Sequence, residues 1–260
     1  MYTKLIYAIF SLISAVIVPI ILLIAIKKKS RMSVVFKMTI IGIVIDFLAR
    51  DVLLKLAATL LGASGLSGFW MNTAFRSAFT IGLTSLMVFG LLMLVRKKIL
   101  STTPDSAELY SLALGMIISE SILNFIMPSI SNLIYLIQSS RGEFVHMLTG
   151  TLGTASALEV EAMYASLPSS YYLFIGLMAL FTILSSMISV LLLGKTQSAG
   201  GKLALLGWLI LSAIISYFVD PIQSSLANPV VIVLILSGFL LLMNLMRKRK
   251  VMEGPVHCYG

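Results

Sequence analysis

The sequence predicts an all-α membrane protein, a bundle of about seven transmembrane helices with its N-terminus outside and its C-terminus in the cytoplasm. Of its 260 residues, 59% are hydrophobic and 11% are charged, whereas soluble domains carry about 25% charged residues. A bilayer accommodates that excess, because a helix of about 20 apolar residues satisfies its own backbone hydrogen bonds. No polar stretch is long enough for a second domain, so residues 1–250 form one membrane domain with a short cytoplasmic tail, 251–260.

Seven apolar runs separated by charged residues are the predicted spans. They cover residues 4–26, 34–61, 77–95, 107–128, 170–193, 203–219 and 229–246. The first run is too long for the core of a signal peptide and ends in three lysines, so it is kept as a span. Proline closes the fourth span at Met127-Pro128 and opens the seventh at Asn228-Pro229, which are ordinary positions for proline at helix ends.

Clusters of lysine and arginine follow every odd-numbered span and set the orientation. They are Lys27–Lys29, Arg31 and Lys37 after the first, Arg96–Lys98 after the third, Lys195 and Lys202 after the fifth, and Arg247–Lys250 after the seventh. Cytoplasmic loops retain such residues, so the N-terminus is placed outside. This placement also explains the net charge of +9, so the charge does not indicate a nucleic-acid-binding protein. Such a protein would carry its lysines and arginines spread over one face, together with exposed aromatic side chains.

The longest loop, residues 139–168, falls on the outer side of the membrane. It contains a mixed apolar and acidic stretch, Ala155 to Ala165. Two interpretations stay open for this stretch: a short helix at the membrane interface, or a flexible connector.

The second span carries four charged residues within about three helical turns: Asp46, Arg50, Asp51 and Lys55. From an inner edge near Met38, Asp46 and Arg50 lie roughly 12 to 18 Å deep, near the midplane. Ionisable groups at such depth cost at least about 2.5 kcal/mol each and normally mark function. The alternative is a self-neutralised helix, because Asp46 with Arg50 and Asp51 with Lys55 are i,i+4 ion pairs.

The fourth span holds a second intramembrane acid, Glu120, without a base nearby in the sequence. Its carboxyl group must protonate or find a partner on another helix, and Arg50 is the expected partner. The alternative is a protonated Glu120 that is hydrogen-bonded to Asn124 or to a serine. Asp46, Arg50, Glu120 and Asn124 are therefore the candidate binding residues.

Hydroxyl residues are frequent in the last spans, including Ser185, Ser186 and Ser189 in the fifth and Ser212 and Ser216 in the sixth. Hydroxyls in membrane helices mostly bond to their own helix or bridge to a neighbour, contributing about 0.6 kcal/mol each. Without a histidine nearby to activate them, they are poor evidence of catalysis.

With Arg50 in the second span and Gly115 and Glu120 in the fourth, the chain resembles, in span order, the YhfC-type membrane proteins, a branch of the CAAX-protease and bacteriocin-processing superfamily of intramembrane proteases. The segment Asp46–Val52 keeps the arginine of the family's second-span motif at Arg50. The segment Gly115–Glu120 keeps the first glycine and the glutamate of the fourth-span motif, Gly-His-Gly-Gly-Ile-Glu, with Met116 in place of the histidine.

Other family residues are missing from this chain. Gly82–Phe89 matches a third-span motif but lacks its two glutamates and its arginine, and later family histidines would fall near Ser186 and Ser212, with an acid near Ser216. The two histidines, His146 in the outer loop and His257 in the tail, lie on opposite sides of the predicted membrane and cannot bind one metal. We therefore expect neither catalytic residues nor a metal, and no cofactor.

The resemblance thus implies a non-catalytic member of the family in the cytoplasmic membrane of a prokaryote. Such a protein would bind a hydrophobic helix, peptide or lipid within its bundle, with the lipid bilayer and a membrane protein or hydrophobic peptide as its partners. Two alternatives remain. One is a membrane subunit of a transporter that uses the midplane charges Asp46 and Arg50. The other is an active intramembrane protease that uses Glu120, with Asp46 as a second acid.

Overall fold

A computed structural model of the chain describes residues 2–26, 31–47, 55–56, 59–60, 73–100, 105–218 and 227–252. The all-α prediction is confirmed for these residues, which contain no strand. The principal helices are α1 (Tyr2–Leu12), α2 (Val18–Ile26), α3 (Met32–Phe47), α4 (Thr73–Lys98), α5 (Ser106–Glu120), α6 (Met127–Arg141), α7 (Phe144–Leu152), α8 (Thr154–Ser166), α9 (Ser169–Leu193), α10 (Ala199–Phe218) and α11 (Ala227–Met252).

Four helical stretches are long and apolar enough to cross a membrane: Tyr2–Ile24, Ala78–Lys98, Ser106–Arg141 and Ser169–Leu193. They overlap the first, third, fourth and fifth predicted spans. Shorter apolar helices overlap the other three predicted spans, at Met32–Val44, Ala199–Ile215 and Asn228–Asn244. The count of seven spans and the orientation stay predictions.

Two π-helical segments each join consecutive α-helices just before a proline. Ile13–Ile17 joins α1 to α2 ahead of Pro19, and Ser121–Ile126 joins α5 to α6 ahead of Pro128. Proline lacks an N–H group and its ring crowds the carbonyl four residues earlier, and the wider π turn relieves both problems. The helix therefore continues through Pro128 into α6, and the prediction that this proline ends a helix is wrong. The point at which the fourth span leaves the membrane stays a prediction.

Helix α9 lies at the centre of the bundle. Of its apolar window, 72% is buried inside the protein, compared with 22–50% for the other three long apolar stretches. It contacts α1, α5, α10 and α11, while α4 packs against α10 and α3 packs against α5. Large apolar side chains such as Ile6, Ile24, Phe36 and Leu240 are exposed on the outer helices, which suits a lipid environment.

Helices α3 and α5 approach each other closely because small residues line their contact. Ser111, Gly115 and Ser119 recur every four residues along α5 and share one face. A Cβ atom on Gly115 would lie 2.5 Å from Met38 Cβ and 2.7 Å from the carbonyl oxygen of Val35. Small residues at this spacing are the usual means by which membrane helices bring their backbones together.

A cluster of charges fixes the beginnings of the same two helices. Arg31, just before α3, donates from Nη1 to Glu108 Oε1 at 2.8 Å and from Nη2 to Asp105 Oδ2 at 3.1 Å. Its backbone N–H also donates to Ser111 Oγ at 2.6 Å. Asp105 caps α5 by accepting a hydrogen bond from the backbone N–H of Glu108. This basic residue therefore has a structural role besides its predicted role in orientation.

The region predicted as the long outer loop is largely helical. Gly142 ends α6 with a φ of 73°, and Gly153 separates α7 from α8 with a φ of 78°, a conformation that glycine adopts without strain. Residues 155–165 lie within α8, so the helical interpretation of this stretch is confirmed, whereas its position at the membrane interface stays a prediction. An aromatic cluster joins these helices to the bundle, with Tyr135 stacked on Tyr164 at 4.8 Å between ring centroids.

Candidate functional site

A cavity of about 500 Å³ lies between α4, α5, α9 and α10. Eight of its lining residues carry hydroxyl groups: Thr80, Thr84, Ser85, Thr182, Ser185, Ser186, Ser189 and Ser212. Its other walls are apolar, except for the carboxyl group of Glu120. We call this space the hydroxyl cavity.

Glu120 lies where the hydroxyl cavity adjoins a second cavity of about 280 Å³, because Glu120 and Thr182 line both. Asn124 Nδ2 donates a hydrogen bond of 2.6 Å to Glu120 Oε2. Asn124 lies in the π-helical segment and also lines the second cavity, whose other walls are mainly apolar and aromatic: Phe125, Pro128, Tyr171, Phe174, Ile175 and Met178. We call this second space the aromatic cavity.

The central helix supplies half of the hydroxyl groups. Thr182, Ser185, Ser186 and Ser189 follow the spacing i, i+3, i+4, i+7, which places them on one face of α9. Ser185 Oγ lies 2.8 Å from the Oγ of Ser212 on α10. The expectation that these serines bridge to neighbouring helices is therefore confirmed for this pair.

Ser85, on α4, is a polar group that the fold leaves unsatisfied. Its side chain is 3% exposed, and its Oγ atom has no hydrogen-bond partner within the described structure. A buried hydroxyl without a partner is destabilising and uncommon. Because Ser85 borders the hydroxyl cavity, its unsatisfied oxygen is a second, separate indication that a polar group belongs there.

The hydroxyl cavity lies deep within the helices. Arg96, near the end of α4, bonds to the carbonyl of Leu193, the last residue of α9, and to the hydroxyl of Thr196, so these helices end together. At 1.5 Å per residue, Ser185 is about 12 Å from the end of α9, and Glu120 is about 21 Å from the start of α5. The polar groups are therefore near mid-height in the bundle.

The structure brings together two of the four predicted binding residues, Glu120 and Asn124. Asp46 lies in α3, but its side chain is outside the described part of the structure, and Arg50 and Asp51 lie wholly outside it. The predicted pairing of Glu120 with Arg50 is therefore untested. Lys55 is exposed.

The predicted absence of a metal site stays a prediction. Within the described ranges, His, Cys, Asp and Glu form no group of three that could hold a metal ion. His146 is exposed on α7, and His257 and Cys258 lie beyond the described residues.

The sequence does not predict the hydroxyl cavity as a whole, because a single hydroxyl group in a membrane helix is sufficiently explained by a hydrogen bond to its own helix or to a neighbour. The available signal was the spacing on α9, where four hydroxyl residues share a face of an otherwise apolar helix. Such an arrangement can donate and accept several hydrogen bonds. Hydroxyl groups by themselves are weak nucleophiles, since a hydroxyl needs an adjacent base to become reactive.

The fold and the site together define a helical bundle with membrane-length apolar helices and a polar cavity between four helices. No family model, curated protein or solved structure matches the chain. The resemblance to the YhfC-type proteins therefore rests on the sequence motifs alone.

Proposed function

We propose that the protein crosses the cell membrane seven times, with the N-terminus outside and the C-terminus in the cytoplasm. Four long apolar helices and three shorter ones overlap the seven predicted spans, and bases follow each odd span. Following the family resemblance, the membrane is the cytoplasmic membrane of a prokaryote.

We further propose that the protein binds a hydrophobic or amphipathic ligand in the hydroxyl cavity without hydrolysing it. The observation that carries this proposal is the composition of the walls: one carboxyl group, already accepting a hydrogen bond from Asn124, among eight hydroxyl residues. Hydrolysis requires a base or a metal to activate water, and a positioned base alone contributes about 10²–10⁴ in rate. Glu120 is the one ionisable group that the described walls offer for that task. The two glutamates and the histidines of the family's motifs are missing, so we expect no hydrolysis.

Several positions of the family's motifs line this cavity, which supports the interpretation as a non-catalytic relative of a protease, a pseudoprotease. Thr84 and Ser85 belong to the segment that matches the family's third-span motif, and Ser186 and Ser212 stand near its later histidines. All four line the hydroxyl cavity together with Glu120. On this reading, an inherited active site has lost its water-activating residues: Ser85 stands at one of the two third-span glutamates, and Met116 stands in place of the fourth-span histidine.

A cavity-blocking variant tests ligand binding. Ala213→Trp would fill part of the hydroxyl cavity, whereas Ala204→Trp on the exposed face of the same helix is the matched control. Native mass spectrometry of protein extracted from membranes should show a ligand retained by the wild type and by the control but lost from Ala213→Trp. Identical retention in all three would contradict the proposal.

A cleavage assay separates this function from proteolysis. Reconstituted wild-type protein should leave a transmembrane peptide uncut. Cleavage that disappears in Glu120→Gln would instead establish an active protease.

A membrane subunit of a transporter is the second candidate, and the adjoining cavities favour it. A solute path through the bundle would need connected polar space, and Glu120 and Thr182 line both cavities. Membrane ionisable residues frequently line such paths. Co-purification with an ATP-binding subunit, and solute uptake lost in Ala213→Trp, would favour transport over simple binding.

A further inference from the structure

The volumes of the two cavities favour a small molecule over a whole transmembrane helix as their occupant. A helix that crosses a bilayer has about 20 residues, a length of about 30 Å and a diameter of 10–12 Å, which corresponds to about 2,400–3,400 Å³. The cavities measure about 500 and 280 Å³. That range is typical of sites for small molecules, about 300–1,000 Å³.

The walls of the hydroxyl cavity favour an uncharged polar group. Each of the eight hydroxyl residues can both donate and accept a hydrogen bond, which matches a ligand that does the same. Neither cavity is lined by a lysine, an arginine or a histidine from the described residues. A phosphate or carboxylate would therefore find no positively charged side chain among the described walls and would lie near the carboxyl group of Glu120. Unpaired ions are costly at this depth.

The aromatic cavity offers the complementary surface. Phe125, Phe174, Ile175 and Met178 present apolar groups next to the polar chamber, and burying apolar area there is favourable at about 25 cal/mol per Å². Because Glu120 and Thr182 border both spaces, the two cavities adjoin, and a molecule that extends past these two side chains would have its polar end in the first and its hydrocarbon end in the second.

We propose that the ligand is a small amphiphile with an uncharged head group that carries several hydroxyls. The head group occupies the hydroxyl cavity, where it supplies the missing partner of Ser85, and the hydrocarbon part lies against Phe125 and Phe174. This inference rests on the proposed ligand-binding function and narrows it from a helix, peptide or lipid to one class of lipid.

Three amphiphiles with the same C18:1 chain test the head group: monoolein, a neutral diol; oleylamine, a cation; and oleic acid, an anion. Each is titrated into protein in lipid nanodiscs, and binding is measured by native mass spectrometry. We expect monoolein to bind and the two charged amphiphiles to bind at least tenfold more weakly.

Isosteric substitutions test the hydroxyl contacts. Thr84→Val combined with Thr182→Val removes two cavity hydroxyls at nearly constant volume and should weaken monoolein binding about tenfold, which corresponds to about 1.4 kcal/mol. Thr149→Val is the control, since Thr149 Oγ1 bonds to the Val145 carbonyl on α7, away from both cavities. Unchanged binding in the double variant would overturn the placement of the head group.

The outcomes separate this inference from the proposed function. Preferential binding of oleylamine that is lost in Glu120→Gln would overturn the uncharged head group and identify a cation site, while ligand binding in the cavity would stand. Preferential binding of oleic acid would likewise overturn the uncharged head group, while ligand binding in the cavity would stand. If no amphiphile binds but Ala213→Trp still loses a native ligand, the ligand class is wrong. If Ala213→Trp loses nothing, the proposed function fails with it.

Discussion

The close contact between α3 and α5 gives a sharp prediction for Gly115→Ala. The new Cβ atom would lie 2.5 Å from Met38 Cβ and 2.7 Å from the Val35 carbonyl oxygen. Both atoms are fixed to the backbone of α3, so they cannot rotate away, and the cost should reach the upper end of the range for overpacking, about 3 kcal/mol. Alanine regains about 1 kcal/mol of helix propensity. The expected net loss is about 2 kcal/mol, roughly a 30-fold change in the folding equilibrium.

The assay is thermal unfolding of purified protein in detergent, followed by the fraction that remains monodisperse after heating. Gly90→Ala on α4 is the matched control, because its Cβ would meet no atom within 4 Å, and it should be neutral or slightly stabilising. Equal stability of the two variants would refute the close approach of α3 and α5.

The neighbouring contact provides a rescue experiment. A Cβ atom on Gly42 would overlap Ser119 Oγ and lie 2.7 Å from Ser119 Cβ. Here the obstacle is a side chain, so Gly42→Ala should be destabilising alone and largely rescued by Ser119→Gly. Additive losses in the double variant would show that these residues do not face each other.

Three further predictions concern the ends, the orientation and the interior of the bundle. Arg31→Gln should lower stability by about 1–2 kcal/mol, since it leaves a buried carboxylate without its arginine, whereas Arg141→Gln, at an exposed arginine, should be neutral in the same thermal assay. A topology reporter fused at Ser198 should report the cytoplasm, and a periplasmic signal would break the seven-span model. Ser11 and Ser129 lie with their hydroxyl oxygens 2.5 Å apart in the buried interior, so a double-mutant cycle to alanine should yield a coupling of about 0.6 kcal/mol, and zero coupling would contradict the contact.

The hydropathy of the sequence predicted the helices because a membrane helix is apolar both where it faces lipid and where it faces the protein interior. Each helix therefore appears in the sequence as a continuous apolar run. The helix of the fourth span continues past its predicted end at Pro128, because the effect of a proline depends on the turn before it. A π-helical turn accommodates the proline, and nothing in the residue types of Ser121–Ile126 signals that turn. The helical interpretation of residues 155–165 was available but could not be distinguished from a loop by composition.

The candidate site was predicted only in part, for a physical reason. Charged residues inside a membrane are conspicuous because each is costly, so Glu120 was identified from its position alone, and Asn124 followed from its spacing. Burying a hydroxyl group in a helix costs little free energy, because it can form a hydrogen bond to the preceding turn. A single serine or threonine therefore does not indicate a binding site. Only their convergence from α4, α9 and α10 makes them a site, and that convergence is a property of the packing.

Two adjacent faces of α5 form the contact with α3 and part of the wall of the hydroxyl cavity. Ser111, Gly115 and Ser119 hold α5 against α3, and the residues one position later, Met116 and Glu120, line the hydroxyl cavity. One residue corresponds to a rotation of about 100° in an α-helix. The contact with α3 therefore sets the direction in which Glu120 points, and Gly115→Ala should weaken ligand binding in the cavity although Gly115 does not line it. Gly90→Ala, whose new Cβ would touch nothing, should leave binding unchanged.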